Sequence, residues 1–424
     1  MEGMKKITTT VLTLGLSLIL LMKGKETSAQ TKSTYELQKE FVELRFGMFI
    51  HFNMGTFTDE EWATPGQDPK LFAPTNVDCA QWAAAAKSAG MKFAVLTTKH
   101  HDGFCLWPTK FGKKNAQGTY QNVAYSKWGK DIVRPFVDEF KKAGIIPCVY
   151  YSIWDRTEGI QGTLSQNNKD LIKGQLTELL GGTYGEFPII IFDGWSWMMG
   201  HNAASYQFIR ETCKSLQPNI LMADHNGMIQ PYEEDFINFE WFTAPTGNIY
   251  ASTRGTSITP SGWFWHPNDV TRAPITLTSI VNSPGLAVTE PRYCNYLLNC
   301  PPNRNGQMEA NIIQRLKEVG AAWKPNPNRA PLPPQPVQCE HPVTPISAVA
   351  TSNSSSAWNA IDGRIDYLNK KNMSQALWQS SGSLPQSVTI DLGGNYSNID
   401  MITYMPRQDH QTDNTGNNPN NFVT

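Results

Sequence analysis

Asp193 and Glu240 are the residues whose type and setting most clearly offer chemistry. Asp193 follows the apolar run Phe187-Pro188-Ile189-Ile190-Ile191-Phe192, and Glu240 follows Ile237-Asn238-Phe239. A carboxylate at the end of a buried strand is held rigidly, as a covalent nucleophile must be. Each also has a purely structural reading, Asp193 as a cap on the following segment and Glu240 as an exposed strand-end charge. Two carboxylates aimed at one cavity supply what glycoside cleavage needs, one to attack carbon and one to protonate the departing oxygen.

Other polar side chains fall at comparable points: His51, Glu61-Trp62, Lys99-His100-His101-Asp102-Gly103-Phe104, Tyr150-Tyr151, Asp224-His225 and Trp263-Phe264-Trp265-His266. Adjacent histidines on an extended strand point to opposite faces, so His100 and His101 converge on one metal ion only where the chain bends. With no helical histidine pair and no clear third ligand, a metal site is not expected. Hydrogen bonding to a polyol makes better use of the imidazole nitrogens, with burial as a spacer the structural alternative. Trp62, Phe104, Trp107, Trp154, Trp195, Trp241, Trp263 and Trp265 crowd the same positions. Broad rings with one donor suit the C–H faces of sugars, although any single Trp is more often core.

These residues need elements to carry them. Strand-like runs at 47–52, 92–98, 145–152, 187–192, 220–223, 237–241 and 293–298 alternate with helical patterns at 78–89, 131–143, 170–180 and 206–216. Asp opens several of the helices and Gly follows three of them, which satisfies the free N–H groups and permits the left-handed exit. Near-continuous apolar strands are covered on both faces, the mark of parallel strands in βα units. The span from about Phe46 to Trp323 has the size of a (β/α)8-like barrel, whose working residues lie past the carboxyl ends of the strands. The rival is a doubly wound sheet, but no G-x-G-x-x-G or Walker loop follows a strand.

The rest of the chain divides by composition. Residues 1–29 carry Lys5 and Lys6, an apolar run from Val11 to Met22 and the small residues Thr27-Ser28-Ala29, which predicts a secretory signal and an exported, periplasmic or extracellular protein. A run of twelve residues is too short to span a bilayer, and no later segment is long enough. Residues 30–323 form the expected catalytic domain. Residues 324–345 hold eight prolines and read as a stiff extended linker, and 346–424 as an all-β module with strands at 387–392 and 399–404. The balance of 36 Lys+Arg against 37 Asp+Glu argues against nucleic acid as a partner. The seven cysteines lack any C-x-x-C pair and are expected as buried thiols, with the pairing of Cys294 and Cys300 left open.

Several of these motifs together resemble the family 29 alpha-L-fucosidases. The run Thr97-Thr98-Lys99-His100-His101-Asp102-Gly103-Phe104, with Leu106-Trp107-Pro108, resembles that family's signature. So do His51, Glu61-Trp62, Phe192-Asp193-Gly194 and Asn299-Cys300-Pro301-Pro302-Asn303. The resemblance implies a retaining exo-glycosidase that removes terminal alpha-L-fucose from oligosaccharides or glycoconjugates, with no metal or organic cofactor. It places the nucleophile at Asp193. Asp235-Phe236-Ile237-Asn238-Phe239-Glu240-Trp241 resembles the acid/base surroundings of some members and places that role at Glu240, with Glu61 the alternative. Fucose hydroxyls are expected to meet His51, Glu61, Trp62, His100, His101 and Tyr151, with Trp263 also at the substrate.

The chain departs from the common pattern where His51 is followed by Phe52-Asn53-Met54-Gly55 rather than Trp-Gly, and where Ile191 replaces a frequent tryptophan. With Thr56-Phe57-Thr58-Asp59, the first departure resembles the branch that prefers alpha-1,3/1,4-linked fucose. Residues such as Trp358-Asn359-Ala360-Ile361-Asp362-Gly363, Trp378 and Ile390-Asp391-Leu392-Gly393 resemble part of a discoidin-like module. Two other functions fit the same residues, a non-catalytic carbohydrate-binding protein and a retaining glycosidase for another sugar.

Overall fold

The computed structural model describes residues 31–115, 118–200, 203–225, 234–335, 343, 345–362, 378, 380–383, 385–400 and 402. Among them eight short parallel strands are β1 (Phe46–Ile50), β2 (Phe93–Lys99), β3 (Ile146–Ser152), β4 (Ile189–Asp193), β5 (Leu221–Asp224), β6 (Ile237–Glu240), β7 (Ser252–Ser257) and β8 (Cys294–Asn299). They hydrogen-bond in the order β5-β4-β3-β2-β1-β8-β7-β6, with β1 paired to both β2 and β8, so the sheet curls towards closure. This is the expected (β/α)8-like architecture.

Strands β1 to β5 and β8 each feed two cores, because successive side chains point to opposite faces. Phe49, Phe93, Val95, Cys148, Tyr150, Ile189, Ile191, Leu221, Ala223 and Leu297 share the cluster inside the barrel. Met48, Ile50, Ala94, Leu96, Val149, Tyr151, Ile190, Phe192 and Leu298 belong to the outer cluster, packed with residues of the surrounding helices. Those helices are α2 (Met54–Thr58), α3 (Cys79–Ser88), α4 (Val133–Ala143), α5 (Gln166–Leu180), α6 (Tyr206–Leu216), α7 (Leu277–Val281), α8 (Leu286–Thr289) and α9 (Ala310–Ala322). Before them comes α1 (Thr34–Val42), whose Leu37, Phe41 and Val42 join the inner cluster. Phe41 lies 4.4 Å from Phe236 and 6.1 Å from Phe93, so α1 packs into the barrel interior.

Three features differ from expectation. The expected helix starting at Asp170 begins at Gln166, because Ser165 and Asn168 cap each other's backbone upstream. Strand β7, sequence STRGTS, has no apolar signature, and its inward side is filled by hydrogen bonds instead. Thr253 donates to Asn238 at 2.7 Å, and Asn299 donates to Ser257 at 3.0 Å. The proline-rich segment is a packed element in its described part: Leu332 is buried, Tyr35 donates to its carbonyl, and Arg329 donates to the carbonyl of Val42.

Six cysteines are buried and free, and Cys294 and Cys300 fall at opposite ends of β8. Beyond the barrel, β9 (Ser347–Ala350) and β10 (Val388–Asp391) form an antiparallel pair, the latter inside the expected 387–392 strand. Residues 399, 400 and 402 carry no strand, and the remainder of the expected 399–404 strand lies outside the described residues. Outside them too are the signal at 1–29, Cys339 and residues 363–377. No described helix is long and apolar enough to cross a membrane.

Strands β5 and β6 are the two ends of the sheet order, and Asp235 stitches them. Its backbone N–H donates to the Met222 carbonyl, and its carboxylate accepts the Met222 N–H at 2.9 Å. The same buried carboxylate holds Arg210 at 2.8 Å and Lys214 at 3.2 Å. Removing one partner from a buried ionic cluster leaves uncompensated charge, at a cost of about 3–5 kcal/mol. Asp235→Ala should lower unfolding stability by that order in a urea titration, and a change near zero would show that the seam is held by other contacts.

Candidate active site

Asp193 extends the inward series Ile189, Ile191, and its carboxylate accepts three hydrogen bonds, with His101 Nε2 3.7 Å from Oδ2. Tyr150 Oη donates to Oδ2 at 2.7 Å, while the Gly194 N–H at 2.6 Å and Trp197 Nε1 at 2.8 Å donate to Oδ1. Gly194 has φ +64°, and a Cβ there would stand 2.3 Å from Trp154 Cβ, so the turn that delivers a backbone N–H to Asp193 requires glycine. Burial and the nearby Asp193 carboxylate push the Tyr150 phenol well above its ordinary range, which keeps it a proton-bearing donor.

Glu240 enters the same cavity from β6. Trp263 Nε1 donates to its Oε1 at 2.9 Å, and His225 Nε2 lies 3.1 Å from Oε2. Burial acts to lower the His225 pKa, but the carboxylates of Glu240 and Asp193 outweigh it and raise the imidazole to about 9. Phe49, His51, Trp62, His100, His101, Tyr150, Asp193, Trp197, His225, Glu240 and Trp263 line a cavity of about 280 Å³. That is the lower end of the range for small-ligand pockets, of the order of one sugar ring.

The other three histidines are tuned the opposite way. His51 is pushed down to about 3, first by burial and then by His100, and burial drives His100 and His101 well below their ordinary value. Asn299 donates its amide to the Trp263 carbonyl, so its Oδ1 faces His51 Nδ1 at 2.9 Å as an acceptor. Ser152 donates to the Trp154 carbonyl at 2.7 Å, which leaves its oxygen to accept from His101 Nδ1 at 2.7 Å. Both rings then carry the proton on Nδ1 and keep Nε2 as an acceptor. His100 Nδ1 is buried without a hydrogen-bond partner. The adjacent histidines both reach the cavity because β2 inserts one extra residue: Thr97 pairs with Tyr150 but Lys99 with Tyr151.

That bulge turns Lys99 outward as well, to Tyr151 at 3.0 Å, Asp155 at 3.1 Å and Gln175 at 3.2 Å. Tyr151 therefore does not line the cavity. Its hydroxyl also donates to Gln175, in the layer between strands and helices, and Tyr150 faces the substrate space instead. Glu61 is likewise outside the lining. Its Oε2 accepts the Trp263 N–H at 2.8 Å, and its Oε1 accepts from Phe264 N–H at 3.3 Å and faces His266 Nε2 at 2.9 Å. Asp102 builds the turn after the histidines by accepting the Phe104 N–H, with burial pushing it up to about 7. Trp107, Trp195 and Trp265 are buried with their N–H groups bonded to Glu178, the Ala204 carbonyl and Glu309. Among the described residues no group of three His, Cys, Asp or Glu could hold a metal ion.

Sequence reasoning assigned no role to Tyr150, Trp197, His225 or Phe49. The inward series Ile189, Ile191, Asp193, together with the register that pairs Tyr150 with Ile191, is the signal that separates Tyr150 from Tyr151.

Comparison with known proteins places this arrangement in a family. The alpha-L-fucosidase family model matches residues 22–327. Alpha-L-fucosidase 1 of Arabidopsis thaliana is 32% identical over 302 residues, covering 64% of this chain and 56% of its own length. The chain thus spans a little over half the length of that relative. Alpha-L-fucosidase isoenzyme 1 from Paenibacillus thiaminolyticus superposes with a TM-score of 0.58 at 27% identity, covering 68% of this chain and 76% of its own. A glycoside hydrolase 29 family member from an unknown rumen bacterium gives 0.53 at 28% identity, over 68% of this chain and 56% of its own.

The histidines make stability depend on pH in two opposed ways. His225 rises from 6.5 to about 9 on folding, so its contribution is complete below pH 6.5 and is lost as pH climbs through 9. The rings of His51, His100 and His101 are depressed, so they cost stability as pH falls below 6.5. In His225→Gln, the decline of Tm between about pH 7 and 9 should flatten while the acid limb persists. An alkaline limb identical to that of the parent would show that His225 is neutral in the folded chain.

Proposed function

The chain belongs to the alpha-L-fucosidase family, and from that premise we propose that it hydrolyses terminal alpha-L-fucose from glycans as a retaining exo-glycosidase. The observation that carries the proposal is that Asp193 and Glu240 line one cavity with different partners. Asp193 accepts three hydrogen bonds from neutral donors, with His101 Nε2 further off at 3.7 Å, which suits a nucleophile, whereas Glu240 stands 3.1 Å from the charged His225 imidazole. Double displacement needs two carboxyl groups roughly 5–5.5 Å apart on opposite faces of the sugar.

Asp193 attacks the anomeric carbon as the glycosidic bond breaks, and Glu240 gives a proton to the departing oxygen. Glu240 then takes a proton from water, the water oxygen bonds to the anomeric carbon, and the Asp193 ester bond breaks with retention. Tyr150, Gly194 and Trp197 orient the nucleophile through their hydrogen bonds. The Nε2 atoms of His51 and His101 accept sugar hydroxyl protons, and His100 lines the same cavity. Phe49, Trp62, Trp197 and Trp263 give the cavity apolar surface for the C–H face and the methyl group of a 6-deoxy sugar.

The loop after β1, His51 to Asp59, supports an alpha-1,3/1,4 linkage preference. The charged, apolar and small-residue succession of residues 1–29 supports export to the periplasm or the cell exterior. The motifs around Trp358, Trp378 and Asp391 support a discoidin-like module after a proline-rich linker, and the antiparallel β9–β10 pair fits an all-β unit.

Asp193→Gly should bring hydrolysis of an aryl alpha-L-fucoside to background with an unchanged circular dichroism spectrum, and normal turnover would overturn the assignment. For Glu240→Ala, the rate on natural glycans should drop by about 10²–10⁴-fold, with less loss on good leaving groups and partial recovery in azide. If Glu61→Ala shows that recovery instead, the proton donor moves to Glu61.

A further inference from the structure

Beyond Glu240 the chain makes a turn that ordinary residues avoid. Trp241 has φ +63°, a left-handed conformation rare for a bulky side chain. It is held there from both sides: its N–H donates to the Gly255 carbonyl at 2.8 Å, and its own carbonyl accepts from Arg254 Nη2 at 3.4 Å. Continued alternation along β6 would send residue 241 towards the outer side with Phe239, which is buried. The turn instead leaves the Trp241 ring 44% exposed, 4.8 Å from the ring of Trp263 and inclined at 49°. Trp263 lines the cavity, so the exposed ring continues the cavity wall outward on Glu240's side.

The second aromatic wall belongs to the nucleophile. Trp62 stacks on Trp197 at 5.9 Å, and Trp197 donates to Asp193. In a double displacement the nucleophile and the proton donor stand on opposite faces, and the group attached to the departing oxygen emerges beside the donor. The wall next to Glu240 can therefore meet the leaving group, whereas the wall next to Asp193 borders the sugar under attack.

We propose that Trp241, propped on Trp263, is a binding platform for the pyranose ring of the departing saccharide, the first sugar on the leaving-group side. This rests on the reading of Glu240 as proton donor. A ring carried on a hydrogen-bonded turn and packed against Trp263 loses little freedom on binding, and its open face matches the C–H face of a pyranose. The platform selects oligosaccharides over simple fucosides without entering the chemistry.

The test compares alpha-L-fucosyl fluoride, whose leaving group is one atom, with a fucosylated trisaccharide, using the full chain. Trp241→Gly removes the ring and suits the left-handed backbone, and Trp241→Phe restores an aromatic face. For Trp241→Gly, kcat/KM on the trisaccharide should fall about tenfold more than on the fluoride, chiefly through KM, with partial recovery in Trp241→Phe. Equal losses on both substrates would overturn the platform and leave Trp241 a prop for Trp263. Failure of the parent chain to turn over the fluoride would instead reject the fucosidase reading.

Discussion

In a parallel barrel a strand residue enters either the lumen or the helix layer, and odd or even position decides which. The whole site depends on that constraint. Phe49 and His51, Ile191 and Asp193, Ala223 and His225, and Asn238 and Glu240 are successive residues of the same parity, so each apolar or bonded layer delivers a polar residue at the rim. A strict alternation would have sent Lys99 into the lumen after Phe93, Val95 and Thr97. The extra residue in β2 reverses the phase, buries the lysine with Asp155 and Tyr151, and lets the following histidines face the cavity. Burial acts to lower the Lys99 pKa, yet Tyr151 and Asp155 hold it above its ordinary value, so the cation stays where the bulge puts it.

Electrostatics then separates residues of one type into different duties. Three imidazoles lose their charge to burial, and His51 and His101 keep Nε2 as an acceptor, whereas His225, equally buried, is held charged by two carboxylates. The two acids differ in the same manner. Asp193 is hydrogen-bonded by a phenol, an indole and a backbone N–H, with the uncharged His101 ring at 3.7 Å, while Glu240 meets an indole and the charged His225 ring at 3.1 Å.

The barrel was legible because most strands are uninterrupted apolar runs and most helices carry capping residues at their starts. Strand β7 escaped notice because its stability is directional rather than hydrophobic, through Thr253, Ser257 and their asparagine partners. Helix α1 escaped because it precedes the alternating pattern, although Leu37, Phe41 and Val42 lie on one helical face. That Asp193 and Glu240 close their strands could be read from the apolar runs before them. Tyr150 and Tyr151 could not be told apart, since identical neighbours differ only in parity and parity needs the register. The duty of Glu61 was equally hidden, because the backbone N–H that engages it lies 202 residues away.

The lumen is sealed by pieces that the ribosome makes far apart. Gln38 on α1 donates to the carbonyl of Asp235, Asn295 on β8 donates to that of Phe41, and Tyr35 donates to that of Leu332. These bonds join residues 197, 254 and 297 positions apart. During vectorial synthesis the first helix must wait for nearly three hundred residues before its last partner emerges, so the nascent chain carries a water-accessible lumen for most of its elongation. Pairings so distant in sequence close late, and their loop-closure cost slows the final sealing of the barrel.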